Sequence, residues 1–268
     1  SLLTFELDHQ DRQFKIKKLT VENEQEKSDV SVYGTFSYGD TIAWNTDLSS
    51  TGLKVPNIAN EIYAELVGSI EGSFTTSGSV DLNKEKWAVK LSDAQLSGFL
   101  HDLPVSLIGN LGIDQALNLS ESDVNLTAFG TTLQLKGFSN DSWHVTARLS
   151  STNLEHLTPE LTGRVDANID VSGDKSLPQI TLDANITDLI AEIGEDNEFR
   201  TEHITIVGDY FPAQKHQFSF DINSEKLSYQ NMNFSDFAST LSGDREFQAI
   251  ELKWLGDIEG ELALSNKW

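Results

Sequence analysis

Val165-Asp166-Ala167-Asn168-Ile169-Asp170-Val171, followed past Gly173-Asp174 by Ile180-Thr181-Leu182-Asp183-Ala184-Asn185-Ile186, decides how the whole chain is read. Apolar residues occupy every second position, and the positions between them are mostly carboxylates and amides. That is the two-residue period of a strand with one dry face and one wet face. A parallel sheet covered on both sides would give unbroken apolar runs, so the alternation predicts mostly antiparallel strands with a solvated outer surface.

The same period recurs in both directions from this stretch. Upstream lie Val30-Val32 with Phe36, Ile42-Trp44-Leu48, Trp87-Val89-Leu91, Leu133-Leu135 and Trp143-Val145-Ala147-Leu149. Downstream come Ile204-Ile206, Phe218-Phe220-Ile222 and Ile250-Leu252-Trp254. With shorter runs included, about 15 strands are expected, or roughly 70 Å of sheet at ~4.8 Å per strand. The predicted fold class is all-β: an elongated, mostly antiparallel sheet curled into an open groove with an apolar interior. Residues 1–86 form one groove segment and 87–268 its continuation.

One short helix interrupts the pattern. From Pro56 to Gly68, Ile58, Ile62 and Leu66 recur every four residues, Asn57 supplies an N-cap and Gly68 a stop, which predicts a helix at about 57–67. It reads as a connector packed on the sheet or as a lid over a groove. A second regularity is a glycine placed just after a strand run. Gly34, Gly68, Gly109, Gly137, Gly173, Gly208 and Gly243 are separated by 34, 41, 28, 36, 35 and 35 residues. Such spacing suits stacked units that bury their apolar faces beside their neighbours, while turn chemistry alone also leaves glycines at strand ends.

Composition narrows the function. Nineteen Lys and Arg against 42 Asp and Glu leave a net charge of -23, which repels phosphate backbones and makes nucleic acid an unfavourable partner. The chain has no cysteine, so disulfides, Fe–S clusters and thiolate metal sites are excluded. The six histidines, His9, His101, His144, His156, His203 and His216, include no i, i+4 pair, and no nucleophile elbow or phosphate-cradling glycine loop occurs. Asp166, Asn168 and Asp170 could offer oxygens to calcium, but their phase puts them on the wet face, where solvated polar residues are the norm. No catalytic residue, metal or cofactor is expected, and the chain is read as a non-enzyme. Leu3-Phe5-Leu7 near one end and Leu262-Leu264 near the other begin and stop in mid-pattern, so a longer parent protein is expected.

From Trp87 onward the order of signals is more specific. Leu96-Ser97-Gly98, Leu103-Pro104, Leu107-Ile108-Gly109 and Leu133-Gln134-Leu135-Lys136-Gly137 lead into Trp143-His144-Val145-Thr146-Ala147. Asn153-Leu154, Leu157-Thr158-Pro159-Glu160-Leu161-Thr162-Gly163, Val171-Ser172-Gly173-Asp174 and Pro178-Gln179 complete it. This succession resembles the TamB family of bacterial envelope proteins. The resemblance implies an inner-membrane anchor outside this chain, a long β-groove crossing the periplasm, and a C-terminal domain that meets an outer-membrane barrel subunit, TamA.

An open sheet with one apolar face must pair with another sheet, close, or curl into a trough. The trough reading places Trp44, Trp87, Val89, Leu135, Val145, Ile169, Val171, Leu182, Ile206, Phe220, Ile222, Leu252 and Trp254 on its inner wall, against phospholipid acyl chains. Two rivals stand beside it. One is a scaffold that holds outer-membrane β-strands by strand addition, and the other is a sealed sandwich that merely spaces other domains.

Overall fold

In the computed structural model, residues 2–23, 28–54, 67–192, 198–230 and 232–267 are described. The helix expected at about 57–67 lies outside them; the described chain resumes at Val67. Seventeen strands and one 3₁₀ turn (Leu154–His156) make up the regular structure of the described residues, against the roughly 15 strands anticipated. The first nine are β1 (Leu2–Gln10), β2 (Gln13–Asn23), β3 (Ser28–Ser37), β4 (Thr41–Lys54), β5 (Gly68–Asp81), β6 (Lys86–Leu100), β7 (Leu103–Asp114), β8 (Leu119–Ala128) and β9 (Thr131–Ser139). The remainder are β10 (Ser142–Ser151), β11 (Leu161–Asp174), β12 (Gln179–Glu192), β13 (Glu198–Phe211), β14 (Gln217–Tyr229), β15 (Met232–Gly243), β16 (Phe247–Gly256) and β17 (Gly260–Lys267).

The chain divides into two compact units, Ser1–Phe129 with Gln134–Asn140, and Gly130–Leu133 with Asp141–Trp268. In the first, β1 through β8 pair in sequence order, always antiparallel. In the second, β10 through β17 do the same. Neither β1 with β8 nor β10 with β17 is paired, so each sheet stays open instead of closing into a barrel. Within each unit, among the described residues, the substantial contacts of a strand are with its sequence neighbours. A sealed sandwich would bury large inward side chains, and among the described residues no Phe, Trp or Ile is buried, which disfavours the sandwich alternative.

Several strands are long for a β protein, up to 15 residues in β6 where about 5–6 is usual. They do not run straight. In β6 the apolar phase is Trp87, Val89, Leu91 and then, across Asp93 with φ 52°, Ala94, Leu96 and Leu100. β12 slips in the same way across Asp188 (φ 53°), from Leu182, Ala184 and Ile186 to Leu189 and Ala191. β14 slips across Lys226 (φ 53°), from Phe218, Phe220 and Ile222 to Leu227 and Tyr229. Register shifts in β2, β4, β5, β7, β11 and β15 mark further irregularities. A bulge bends its strand and sharpens the local twist; repeated in neighbouring strands, it lets a sheet turn its apolar face inward.

The glycine series has a different meaning from the one expected. Gly34, Gly109, Gly137 and Gly208 lie inside β3, β7, β9 and β13, not after them. Gly173 and Gly243 do sit at the ends of β11 and β15, next to the turns. At those turns the following aspartate caps the chain: Asp174 accepts the N–H of Ser176 at 2.8 Å, and Asp244 accepts those of Glu246 and Phe247 at 2.7 and 2.9 Å. Asp81 and Asp114 do the same at the β5–β6 and β7–β8 turns. The period near 35 residues is thus a hairpin period, with some glycines placed at bends and others at turns.

Candidate apolar groove

Register, more than proximity in sequence, assigns each side chain to a face, because residues directly opposite each other in a sheet lie on the same side. In the second unit one row runs Ala147, Ile169, Leu182, Gly208, Phe220, Leu241, Ile250, Leu264 across eight strands. A parallel row runs Leu149, Ala167, Ala184, Ile206, Ile222, Ser239, Leu252, Leu262. Val145 faces Val171, and Trp254 joins the same side through Phe237 and Ser224. Nine of the sequence-derived residues therefore share a single face: Val145, Ile169, Val171, Leu182, Ile206, Phe220, Ile222, Leu252 and Trp254.

In the first unit Trp44 faces Gly78, which faces Val89, while Trp87 faces Val80. Trp44, Trp87 and Val89 are thereby on one side. Leu135 is half-buried on β9. The side chains between these positions are polar and exposed, as with Asp166, Asn168, Asp170 and Asp183.

This apolar face is half-open to solvent. The buried hydrophobic residues among those described are Ala94, Val105, Leu119, Val145, Leu154 and Ala184, while Ile169 is 39% exposed and Trp87 and Val89 are each 37% exposed. Side chains of this kind are normally hidden, and a contiguous exposed apolar surface marks a place where something else binds.

The face becomes a cavity where β13 to β16 bend. An open hollow of about 570 Å³ is lined by Phe199, Ile204, Ile222, Ser224, Leu227, Tyr229, Met232, Phe234, Phe237, Trp254 and Ile258. Ser224 brings a hydroxyl, but it already pairs with Thr201 Oγ1 at 2.7 Å, and Thr201 in turn donates to a backbone carbonyl. Of the lining residues, the sequence reading had placed Ile222 and Trp254 on the inner wall and had noted Ile204 in the same run. The slips across Lys226 and between Phe234 and Asp236 reverse the phase and hide Leu227, Tyr229, Met232 and Phe234 from the sequence reading, which also leaves out Phe199 and, in unbroken phase with Leu241, Phe237. The available signal was alternation resuming in the opposite phase, as from Ile222 to Leu227 and Tyr229.

The first unit has a smaller hollow of about 320 Å³ with a mixed lining that includes Ser77, Lys90, Ile113, Asp114, Asn118 and Ser120. Charge is kept on the wet side. Lys226 reaches Glu202 at 2.6 Å, and this hydrogen bond holds its ammonium above the ordinary lysine pKa; Lys136 reaches Asp123 at 3.0 Å, and Arg164 pairs with Asp188. Among the described residues, no group of three His, Asp or Glu could hold a metal ion, and no helix is long and apolar enough to cross a membrane.

Comparison with known proteins meets this geometry. A curated protein, translocation and assembly module subunit TamB of Haemophilus influenzae, is 26% identical over 172 residues, which is 64% of this chain but 13% of that protein. The chain thus corresponds to a small part of that relative's length. No solved structure matches. The family model described as "TamB, N-terminal domain" matches residues 1–268, so the open, one-sided sheet belongs to the TamB family.

Proposed function

We propose that this chain is a stretch of a periplasm-crossing bridge along which phospholipids pass between the inner and outer membranes. Acyl chains lie on the apolar face and headgroups stay in water along its open side. The parent protein is anchored in the inner membrane outside this chain, and it works in a translocation and assembly module with the outer-membrane barrel subunit TamA.

The observation that carries this reading is the hydrogen-bond state of the wall. Strands β10 to β17 pair with one another along their length, so the backbone groups of the inner strands are already used. An extended polypeptide laid on that face would bury its own N–H and C=O groups at a cost of about 1–3 kcal/mol each. An acyl chain has no such groups. Burying about 15 methylenes releases on the order of 12 kcal/mol before ordering costs. Rows of Ile, Leu and Phe offer neighbouring sites of similar energy, which suits sliding better than tight recognition.

Ile169→Asp in the whole protein tests this. Because Ile169 is 39% exposed, the empty protein tolerates the carboxylate, whereas a lipid-filled groove does not. A charge in hydrocarbon costs about 3 kcal/mol, so lipid delivery to the outer membrane should fall roughly 100-fold. Undiminished delivery by a folded variant ends the conduit reading.

A second reading, a scaffold for unfolded outer-membrane strands, draws on β1. Every residue of β1 is exposed, including Leu2, Leu3, Phe5 and Leu7, which leaves its apolar side chains accessible to another extended chain. Barrel-precursor adducts from a photo-crosslinker at Phe5, with none to lipid from Ile169, would favour it.

A further inference from the structure

We propose that the cavity of the second unit is a resting station for the hydrocarbon tail of a passing lipid, a step in the groove where occupancy exceeds that of the wall beside it. The inference rests on the conduit reading and adds a position to it.

Three observations point here. The first is shape. Elsewhere in the second unit the face is formed by rows of mostly Val, Ile, Leu and Ala, whereas β13 to β16 line an open hollow of about 570 Å³, within the range of roughly 300–1,000 Å³ typical of small-ligand sites. A concave wall puts atoms on more than one side of a chain, so more of its surface leaves water than on a flat face.

The second is lining. Phe199, Tyr229, Met232, Phe234, Phe237 and Trp254 concentrate aromatic rings and the chain's only methionine in one hollow. Rings present large flat apolar surfaces, and the unbranched thioether fits irregular shapes. Such a wall accepts saturated and kinked chains alike.

The third is polar bookkeeping, which names the occupant. The Ser224 hydroxyl is engaged by Thr201, among the described residues no charged side chain lines the cavity, and the other polar side-chain groups of its lining are the Tyr229 hydroxyl and the Trp254 indole N–H. A peptide, sugar or headgroup placed inside would lose most of its water contacts without replacement. A hydrocarbon tail loses nothing of that kind.

The test places a photo-crosslinking amino acid at Phe237 in the cavity, and separately at Ile169 and Leu182 on the open rows, in the whole protein. Each variant is mixed with vesicles of palmitoyl-oleoyl-phosphatidylethanolamine, illuminated and read by mass spectrometry. Contact equal to about two additional buried methylenes corresponds to roughly tenfold higher occupancy, so the lipid adduct at Phe237 should saturate at about one-tenth the lipid concentration needed at the other two positions. Equal concentrations at all three positions overturn the station and leave the conduit intact. No lipid adduct at any of them overturns both. If the Phe237 variant does not fold, the same comparison is made from Met232, where the native side chain is already flexible.

Discussion

The row from Ala147 to Leu264 crosses every strand of the second unit without a polar side chain. Rows of the first unit break at β4 and β5, where Thr46 faces Thr76, Ser50 faces Gly72, and Trp44 has only Gly78 opposite it. Both units use the same hairpins, the same antiparallel order and the same mid-strand slips. Alternation alone therefore sets the architecture, while the residues in the inward phase set what the wall holds. A groove need not be uniformly oily to fold; it needs a dry phase and a wet phase.

The largest effect should come from the bends that both units share. Gly109, in the first, has φ 124°, and a Cβ there would lie 1.8 Å from the carbonyl oxygen of Asp123. Gly163, in the second, has φ 121°, with the carbonyl oxygens of Thr187 and Asp188 each 2.9 Å away. Backbone strain and overpacking add at Gly109, so Gly109→Ala should cost about 3 kcal/mol or more, and Gly163→Ala about half of that. Urea titration of each variant measures the difference. Equal costs would mean that the two bends are equally tight.

Next comes the lining itself. Ile206 faces Ile222 across β13 and β14 as Thr46 faces Thr76 across β4 and β5. Ile206→Thr with Ile222→Thr copies the first unit's patch into the second. Losing several buried methyl groups from the wall should weaken lipid occupancy about tenfold. The reciprocal pair, Thr46→Ile with Thr76→Ile, should raise it at neighbouring positions. If lipid crosslinking responds to neither exchange, the difference between the two walls has no bearing on cargo.

How far these features were legible in sequence follows from the same slips. Runs such as Val165 to Val171 identify an antiparallel one-sided sheet, because period two survives any amount of sheet curvature. Trp44 with Val89, or Ile169 with Leu182, could be assigned to one side since no slip separates them from their partners. Leu227, Tyr229 and Phe234 could not. A single left-handed residue shifts the phase by one, and Lys226 carries no mark of that conformation, unlike a glycine or an aspartate. The glycines were visible but their role was not, since a bend inside a strand and a turn at its end use the same residue.

That contrast gives a smaller prediction. Lys226 and Asp93 both occupy left-handed backbone, with φ 53° and 52°, but aspartate tolerates it better than lysine. Lys226→Gly should stabilise the second unit by about 0.5 kcal/mol, the relief of strain exceeding the entropy that glycine loses on folding. The exposed pair with Glu202 subtracts little from this. Asp93→Gly in the first unit should be close to neutral, and its N–H keeps the 2.8 Å bond to the Asn110 side chain. A larger gain at Asp93 would show that the slip in β6 is the more strained.

The smallest effect concerns acid and the turns. The Ser176 hydroxyl and N–H hold the Asp174 carboxyl below its ordinary value, and the N–H groups of Glu246 and Phe247 do the same for Asp244. In the first unit, partial burial pushes Asp81 up, but the N–H groups of Asn83 and Lys84 and the Lys84 ammonium outweigh it and leave it lowered as well. A carboxyl whose folded pKa is depressed stabilises the fold fully above its unfolded value, near 3.8, and that contribution is lost as pH falls through the lower folded value. The turns at 175–178 and 244–246 should therefore keep their amide protection at about pH 5 and lose it below about pH 4, ahead of the strands they join. Asp174→Asn and Asp244→Asn preserve the acceptor without the titration, so hydrogen exchange in those variants should no longer change across that window; if it still does, strand fraying rather than turn capping sets the acid response.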